Sequence, residues 1–353
     1  MFQSITPKGV TLSKEVQMNP QMQQQDPQML LQMGFSFMPA RIMMTAVQLN
    51  VFTHIAEGRK SANAIAEAEN ASSRGLRMLL DSLTALQLLT KSDDGYELTP
   101  LAAQCLVKTS EDYIGGIWET DNMWDAWGGL TEIVRKGKPR HAVENQQVAE
   151  MFFPMLVKSL HVINREPARR TAETLGAGTR HKGLSVLDVA CGSGIWGIAI
   201  AERDKEARLT MQDFPVVLED TKKYLERHGV LDRADFIAGD LKEVAFGEER
   251  FDVALLGNIV HSEGEESSRD LFKRINRALK PNGRIVVIDM IPNDERTAPP
   301  FPLFFALNMF INTSVGDCYT LAEYTAWLNE AGFSKIETAD IASHSPLIIG
   351  VKE

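Results

Sequence analysis

One stretch, Val186-Leu187-Asp188-Val189-Ala190-Cys191-Gly192-Ser193-Gly194, limits what this chain can fold into more than any other. An apolar strand carrying a single carboxylate runs into a loop of small residues, and that loop opens a helix. Gly192 and Gly194 let backbone approach a ligand closely, because no Cβ intervenes. The helix start beyond them presents free N–H groups to the negative end of a ligand. A tight strand-to-helix turn without a ligand is the plain alternative, but paired glycines in a first βα unit favour binding.

From residue 184 onward strands and helices alternate. The sequence predicts strands at 185–190, 208–213, 235–239, 251–257, 284–290, 335–339 and 347–351. It predicts helices between them, one at 268–279 ending at Pro281-Asn282-Gly283. Such alternation builds a mainly parallel sheet with helices on both faces, and ligands sit at the carboxyl ends of its strands. Two ligands fit the first loop. Gly192-Ser193-Gly194-Ile195-Trp196-Gly197 matches a dinucleotide fingerprint, and Asp213 lies 21 residues after Gly192 at the next strand end, which keeps a nicotinamide dehydrogenase open. Asp188 and the pair Gly239-Asp240 point elsewhere. Three acidic strand ends suit an amine, ribose hydroxyls and an adenine amino group better than a pyrophosphate.

The first half of the chain reads differently. Residues 1–27 form a polar, Gln- and Met-rich arm. Residues 29–55 are apolar on nearly every helical face, so they are expected to be buried in their own unit, against the second domain, or against a second subunit. A short helix beginning at Ser61 or Asn63 and a Leu-rich helix at 73–89 come next. Short runs on either side of Ser92-Asp93-Asp94-Gly95 then predict a hairpin, giving a winged-helix pattern. Residues 61–100 hold three basic and six acidic side chains, and the whole chain carries a net charge of -10. That sign disfavours nucleic acid and an anionic membrane surface. Three of the five tryptophans, Trp118, Trp124 and Trp127, fall within ten residues, as core or as a wall for a flat ligand. A further helix is expected at 149–175. No basic-then-apolar leader is visible, the most apolar run (301–311) is too short to span a bilayer, and Cys105, Cys191 and Cys318 lie far apart, so a cytoplasmic protein is expected.

From about residue 30 to its end the chain resembles the plant-type and bacterial S-adenosylmethionine-dependent O-methyltransferases, the family of the caffeate, hydroxyneurosporene and acetylserotonin enzymes. The likeness rests on LDVACGSG at 187–194, QDFPVVLE at 212–219, GD at 239–240, NIVH at 258–261, PNGRIVVIDMIP at 281–292 and YTLAEYTAWLNEAGF at 319–333. WDAWGGLTEIVRKGKP at 124–139 is similar to the family's substrate-side helix. The resemblance implies a Rossmann-like seven-stranded α/β domain with its last strand antiparallel, at 171–353. It implies a helical, winged-helix-like dimerisation and substrate-side domain at 28–170, a homodimer, and no metal.

Position by position, the resemblance implies cofactor contacts at Asp188, Gly192, Ser193, Gly194, Asp213, Phe214, Asp240, Leu241 and Asn258. His261 matches the catalytic histidine, and Asp289 one of two acidic residues flanking it. Trp118, Trp124, Trp127, Met155, Phe305, Met309 and Asn312 are the candidates to hold a small planar acceptor. Departures accompany the match. The first motif's glycine run is Ala190-Cys191-Gly192, and the acidic residue after the histidine is Ser262. Gly257 stands for a lysine, and the second flanking glutamate falls on Cys318 beside Asp317. On this reading the cofactor site is intact and support for the base is thinned. An acceptor carbon, a weakened enzyme, or a ligand sensor with a degenerate catalytic domain stay open beside transfer to a phenolic hydroxyl.

Overall fold

The computed structural model describes residues 26–140 and 156–353. The N-terminal unit contains helices α1 (Pro27–Phe35), α2 (Phe37–Gln48), α3 (Val51–Ala56), α4 (Ala62–Ala68) and α5 (Ser73–Ala85), a hairpin β1 (Leu89–Ser92) and β2 (Gly95–Leu98), and α6 (Pro100–Cys105). Local chemistry sets these starts. Asp26, Ser61, Ser72 and Thr99 each cap a helix by accepting a backbone N–H of its first turn. Leu76, Leu80 and Leu83 form one buried face of α5, packed with Phe52 and Ile65. The hairpin turn is Asp93-Asp94, with Ser92 paired to Gly95, so the glycine opens β2 where the sequence had placed it in the turn. The reason is steric: a Cβ on Gly95 would lie 2.4 Å from the Lys60 carbonyl oxygen, which accepts the Tyr96 N–H.

The apolar segment 29–55 divides. Met44, Ala46, Val47, Val51, Phe52 and Ile55 are buried in this unit's own core. Leu30, Leu31 and Met33 are 71%, 61% and 62% exposed, and Phe35 and Phe37 share their open face. Pro27–Gln48 is also long and apolar enough to cross a membrane by length and composition, a property the shorter 301–311 run lacks.

Helices α7 (Asn122–Gly128) and α8 (Leu130–Lys136) follow. The long helix expected at 149–175 is two helices, residues 156–163 and α9 (Arg165–Thr174), broken at Asn164. The second unit runs β3 (Ser185–Val189), α10 (Ile195–Arg203), β4 (Arg208–Asp213), α11 (Pro215–Arg227), β5 (Ala234–Ala238), β6 (Phe251–Gly257), α12 (Val260–Ala278), β7 (Leu279–Ile288), α13 (Pro300–Asn312), α14 (Leu321–Glu330), β8 (Phe333–Ala339) and β9 (Leu347–Lys352). The strands order as β5-β4-β3-β6-β7-β9-β8. Neighbours from β5 to β7 are parallel, and β9 runs antiparallel to both β7 and β8. Alternate residues feed two cores. Val186, Leu209 and Val253 pack toward α10 on one face, and Leu187, Ala254 and Leu256 toward Leu271 and Phe272 of α12 on the other.

Two boundaries differ from the sequence reading. Strand β7 begins at Leu279, paired with Phe251 across an irregular register, because Pro281-Asn282-Gly283 forms a bulge inside the strand. Helix α12 extends back to Val260, with a break at Gly264, where φ is 77°. A side chain there would press on Val315, its Cβ 2.9 Å from Val315 Cγ2. The helix turn that carries His261 is thereby set apart from the long helix behind it.

Candidate active site

The glycine loop leaves β3 through residues in the left-handed region: Ala190 at φ 49°, Gly192 at 56° and Gly194 at 76°. Alanine keeps the backbone conformation glycine would take freely, at a cost of order 1–3 kcal/mol. Side chains from the next βα unit hold the loop. Asp213 Oδ2 accepts the Gly192 N–H at 2.9 Å, its Oδ1 accepts the Phe214 N–H at 2.7 Å, and Thr221 Oγ donates to the Gly192 carbonyl at 2.6 Å. Gln212 bridges the loop to the end of β5 by accepting from Ala190 N and donating to Gly239 O.

Asp188 is fully buried in the middle of this arrangement. Its Oδ2 accepts the Gly197 N–H at 2.9 Å, and its Oδ1 has no partner among the described residues. A Cβ on Gly197 would stand 3.1 Å from that carboxylate, so the third glycine of the run keeps α10 close to β3. Burial pushes the Asp188 carboxyl up to about 8 and the Asp213 carboxyl up to about 6. A buried carboxylate oxygen with no donor is the complement of a cationic group. The loop and its two carboxylates therefore fit a ligand with an ammonium and vicinal hydroxyls. Around them, Asp240 Oδ1 accepts the Lys242 N–H, Leu241 is buried, and the Phe214 ring is exposed. Asn258, at φ 57°, accepts from Ser345 Oγ.

His261 lies at the carboxyl end of the sheet just past β6, and its ring is buried. His261 Nδ1 is 2.6 Å from Asp289 Oδ1, and the His261 backbone N–H donates to Asp289 Oδ2 at 3.0 Å. Asp289 also accepts the Met290 N–H at 2.8 Å and the Tyr324 hydroxyl at 3.0 Å, and both Asp289 and Tyr324 are fully buried. Burial first, then the Asp289 charge, pushes the Tyr324 phenol well above its ordinary value, so it stays a donor. The carboxylate can only accept, so His261 Nδ1 is the donor in this pair and Nε2 is the ring nitrogen not engaged with Asp289. Ser262 Oγ is turned to the Ile259 carbonyl, and Tyr324 supplies the side-chain hydroxyl that reaches Asp289. Sequence reading quoted its motif without assigning it a role; a lone tyrosine on the polar–apolar pattern of α14 carries no local signal. A second brace is Gly316. A Cβ there would lie 2.6 Å from the His261 carbonyl oxygen and 2.5 Å from Thr313 Oγ, and the Asp317 N–H donates to that same carbonyl.

On the far side, the Phe305 ring meets the His261 ring edge to face at 5.0 Å. Trp127 Nε1 donates to Asn308 Oδ1 at 3.2 Å, and Asn312 Nδ2 donates to the Asn308 carbonyl, which joins α7 to α13 beside the buried Met309. The other two tryptophans go elsewhere. Trp118 packs on the core of the N-terminal unit, and Trp124 meets Phe37 edge to face and lies under Arg41 of α2. Met155 lies outside the described residues.

A sheet in this order with one reversed strand, a glycine loop after its first strand and acidic ends on the next two defines a class I methyltransferase, a fold separate from the all-parallel dinucleotide domain. Residues 172–334 match the O-methyltransferase domain family, and residues 31–108 match the O-methyltransferase dimerisation domain. The chain is 27% identical over 342 residues to the tetracenomycin polyketide synthesis 8-O-methyl transferase of Streptomyces glaucescens, covering 95% of this chain and 99% of that protein. A solved Nostoc punctiforme structure, described as a candidate O-methyltransferase, is 30% identical with a TM-score of 0.80, covering 93% of this chain and 99% of its own. Human N-acetylserotonin methyltransferase, solved with S-adenosylmethionine, shares the fold at a TM-score of 0.80 and 22% identity, over 94% and 99% of the two chains. This chain belongs to the S-adenosylmethionine-dependent O-methyltransferases.

Proposed function

We propose that this enzyme methylates a phenolic hydroxyl of a small, planar, secondary-metabolite-like molecule, with His261 as general base. The observation that supports this most is the buried His261–Asp289 pair, which leaves Nε2 as the basic ring nitrogen at the ligand end of the sheet. Relatives agree in chemical class. Besides the polyketide enzyme, the chain is 27% identical over 339 residues to a 3-hydroxy-5-methyl-1-naphthoate 3-O-methyltransferase of Streptomyces sahachiroi.

Bound S-adenosylmethionine supplies a sulfonium-activated methyl group. Asp188 would hold its ammonium, the Gly192–Ser193–Gly194 backbone its amino-acid end, and Asp213 the ribose hydroxyls. Phe214, Asp240 and Leu241 would hold the adenine, and Asn258 would close the site beside the histidine. Trp127, Phe305, Met309 and Asn312 hold the acceptor ring through broad apolar faces and a few polar atoms. His261 Nε2 accepts the hydroxyl proton as that oxygen reacts, and Asp289 stabilises the imidazolium formed. Alignment in a dry site supplies most of the remaining rate. The exposed apolar face of α1 and α2 is the place for a second subunit, in a dimerisation and substrate-side unit that runs to residue 170 and is followed by the cofactor unit.

The test is His261→Ala. Its kcat falls roughly 10²–10⁴-fold on the true acceptor, with affinity for S-adenosylhomocysteine little changed. A variant keeping more than a tenth of the wild-type kcat demotes His261 to a structural role. An acceptor-bound structure in which fewer than two of the named wall residues touch the ligand removes the wall.

A further inference from the structure

The glycine loop has a second anchor that neither the family likeness nor the mechanism uses. His161, in the helix over residues 156–163, is buried, and its Nδ1 shares a 3.1 Å hydrogen bond with Ser193 Oγ. Its ring stacks on Tyr224 of α11 at 4.2 Å and sits 5.4 Å from the ring of His228, which in turn pairs with Glu202. Tyr224 lies one turn after Thr221, the residue that holds the Gly192 carbonyl. The loop is thus gripped from two sides. Asp213 and Thr221 hold Gly192 from the next βα unit, and His161 holds Ser193 from the helix that precedes the sheet.

That helix is itself tied to the N-terminal unit. Ser159 Oγ donates to the Ile114 carbonyl at 3.2 Å, and Arg165, just past the break at Asn164, pairs with Asp112 at 2.7 Å. Val157 reaches Gly192 from the same helix, its Cγ2 3.7 Å from where a Cβ on that glycine would be. Burial, reinforced by His228, Arg165 and Arg227 and only partly opposed by Asp112, pushes the His161 imidazole down to about 4. At neutral pH the ring is therefore an uncharged hydrogen-bond partner that stacks at low desolvation cost. A histidine placed only to fill space needs no bond to Ser193.

We propose that His161 is a positioning residue for cofactor binding: through Ser193 it fixes the glycine loop in its binding shape and ties that shape to the N-terminal unit. This rests on the reading that the loop receives the cofactor. Calorimetry with S-adenosylhomocysteine on the full-length protein tests the two separately. Wild type failing to bind, or Gly194→Val binding as wild type does, removes the loop reading itself. For His161, the comparison is among His161→Ala, His161→Asn, Ser193→Ala and the double variant His161→Ala/Ser193→Ala.

The expected pattern is a five- to twentyfold weaker Kd for His161→Ala, from loss of a single buried hydrogen bond and its ordering. His161→Asn, whose amide reaches the Nδ1 position, returns to within about threefold of wild type. The double variant is no weaker than the worse single variant, because both remove the same bond. For His161→Ala at saturating cofactor kcat stays within about twofold, since no reacting atom is touched. Effects of His161→Ala and Ser193→Ala that multiply in the double variant overturn the proposal. So does a His161→Asn variant as weak as His161→Ala, or a His161→Ala variant with wild-type Kd. Should His161→Ala fail to fold, Ser193→Ala and His161→Asn decide alone: a weakened Ser193→Ala beside a near-normal His161→Asn supports the proposal, and any other pairing overturns it.

Discussion

Replacing Tyr324 by phenylalanine removes one oxygen atom from a cluster that water does not reach. A carboxylate offers about four acceptor positions. At Asp289 all four are filled, by the His261 N–H, His261 Nδ1, the Met290 N–H and the Tyr324 hydroxyl. Tyr324→Phe leaves Oδ2 with the His261 backbone donor alone, inside a pocket where both residues are fully buried. A hydrogen bond to a buried charged group is worth about 1.5–3 kcal/mol, and the apolar ring that remains opens no cavity. At about 2–4 °C per kcal/mol for a domain of this size, the melting temperature falls by about 3–12 °C. The two bonds from Asp289 to His261 survive, so the loss of alignment is partial and kcat falls about three- to thirtyfold. Affinity for S-adenosylhomocysteine stays within about twofold, because the glycine loop is held by other groups. Differential scanning calorimetry, steady-state kinetics at saturating cofactor and titration calorimetry read the three quantities. A variant with wild-type melting temperature and wild-type kcat refutes the reasoning, since it would mean Tyr324 neither satisfies Asp289 nor steadies the histidine.

Asp213→Ala is expected to weaken binding of S-adenosylhomocysteine by roughly 1.5–3 kcal/mol, and unchanged affinity takes Asp213 out of the site. Cofactor binding near pH 7 is expected to release up to one proton, visible as a dependence of calorimetric heat on buffer. The sign follows from Asp188: burial raises its folded-state pKa to about 8, so it is largely protonated when empty and ionises against an ammonium. The same shift makes the ligand-free protein lose stability as pH rises from about 4 to 8; Asp188→Asn abolishes the proton release and leaves only the smaller loss that Asp213, raised to about 6, contributes. Leu31→Glu with Phe35→Glu places charge on the open face of α1 and is expected to give monomers in sedimentation velocity, where wild type sediments as a dimer; interfaces of this kind often exceed about 2,000 Å².

How far this was legible in the sequence depends on the range of each interaction. That Asp188, Gly192, Gly194 and Asp213 come together in one loop could be read because a strand followed by small residues, with an acidic end on the next strand, is a local pattern. The strand positions were readable for the same reason, to within a few residues. Tyr324, Gly316 and His161 could not be read. Each acts on a partner far away in the chain, and nothing about a tyrosine in an amphipathic helix announces a buried carboxylate 35 positions earlier. The tryptophan cluster shows the reverse failure. Three neighbouring indoles look like one wall, but helix geometry aims Trp127 at α13 and Trp124 at α2. Apolar character alone also did not divide 29–55 into its buried and open halves. The division is set by what the segment packs against, which composition does not encode.

The reversal of β9 has a consequence for how the molecule comes to exist. The strand that comes last in sequence is not at the edge of the sheet; it lies between β7 and β8, and β8 joins the sheet through β9 alone. While the chain is being synthesised, β3, β4, β5, β6 and β7 can align as they leave the ribosome, but β7 keeps an open edge until β9 arrives. The backbone at Ile285 and Val287 on that waiting edge is open to any other extended chain nearby, the kind of edge on which aggregation starts. The half of the sheet that carries the glycine loop is thus assembled early, and the final strand acts as a latch that seals β7 and recruits β8 in one step.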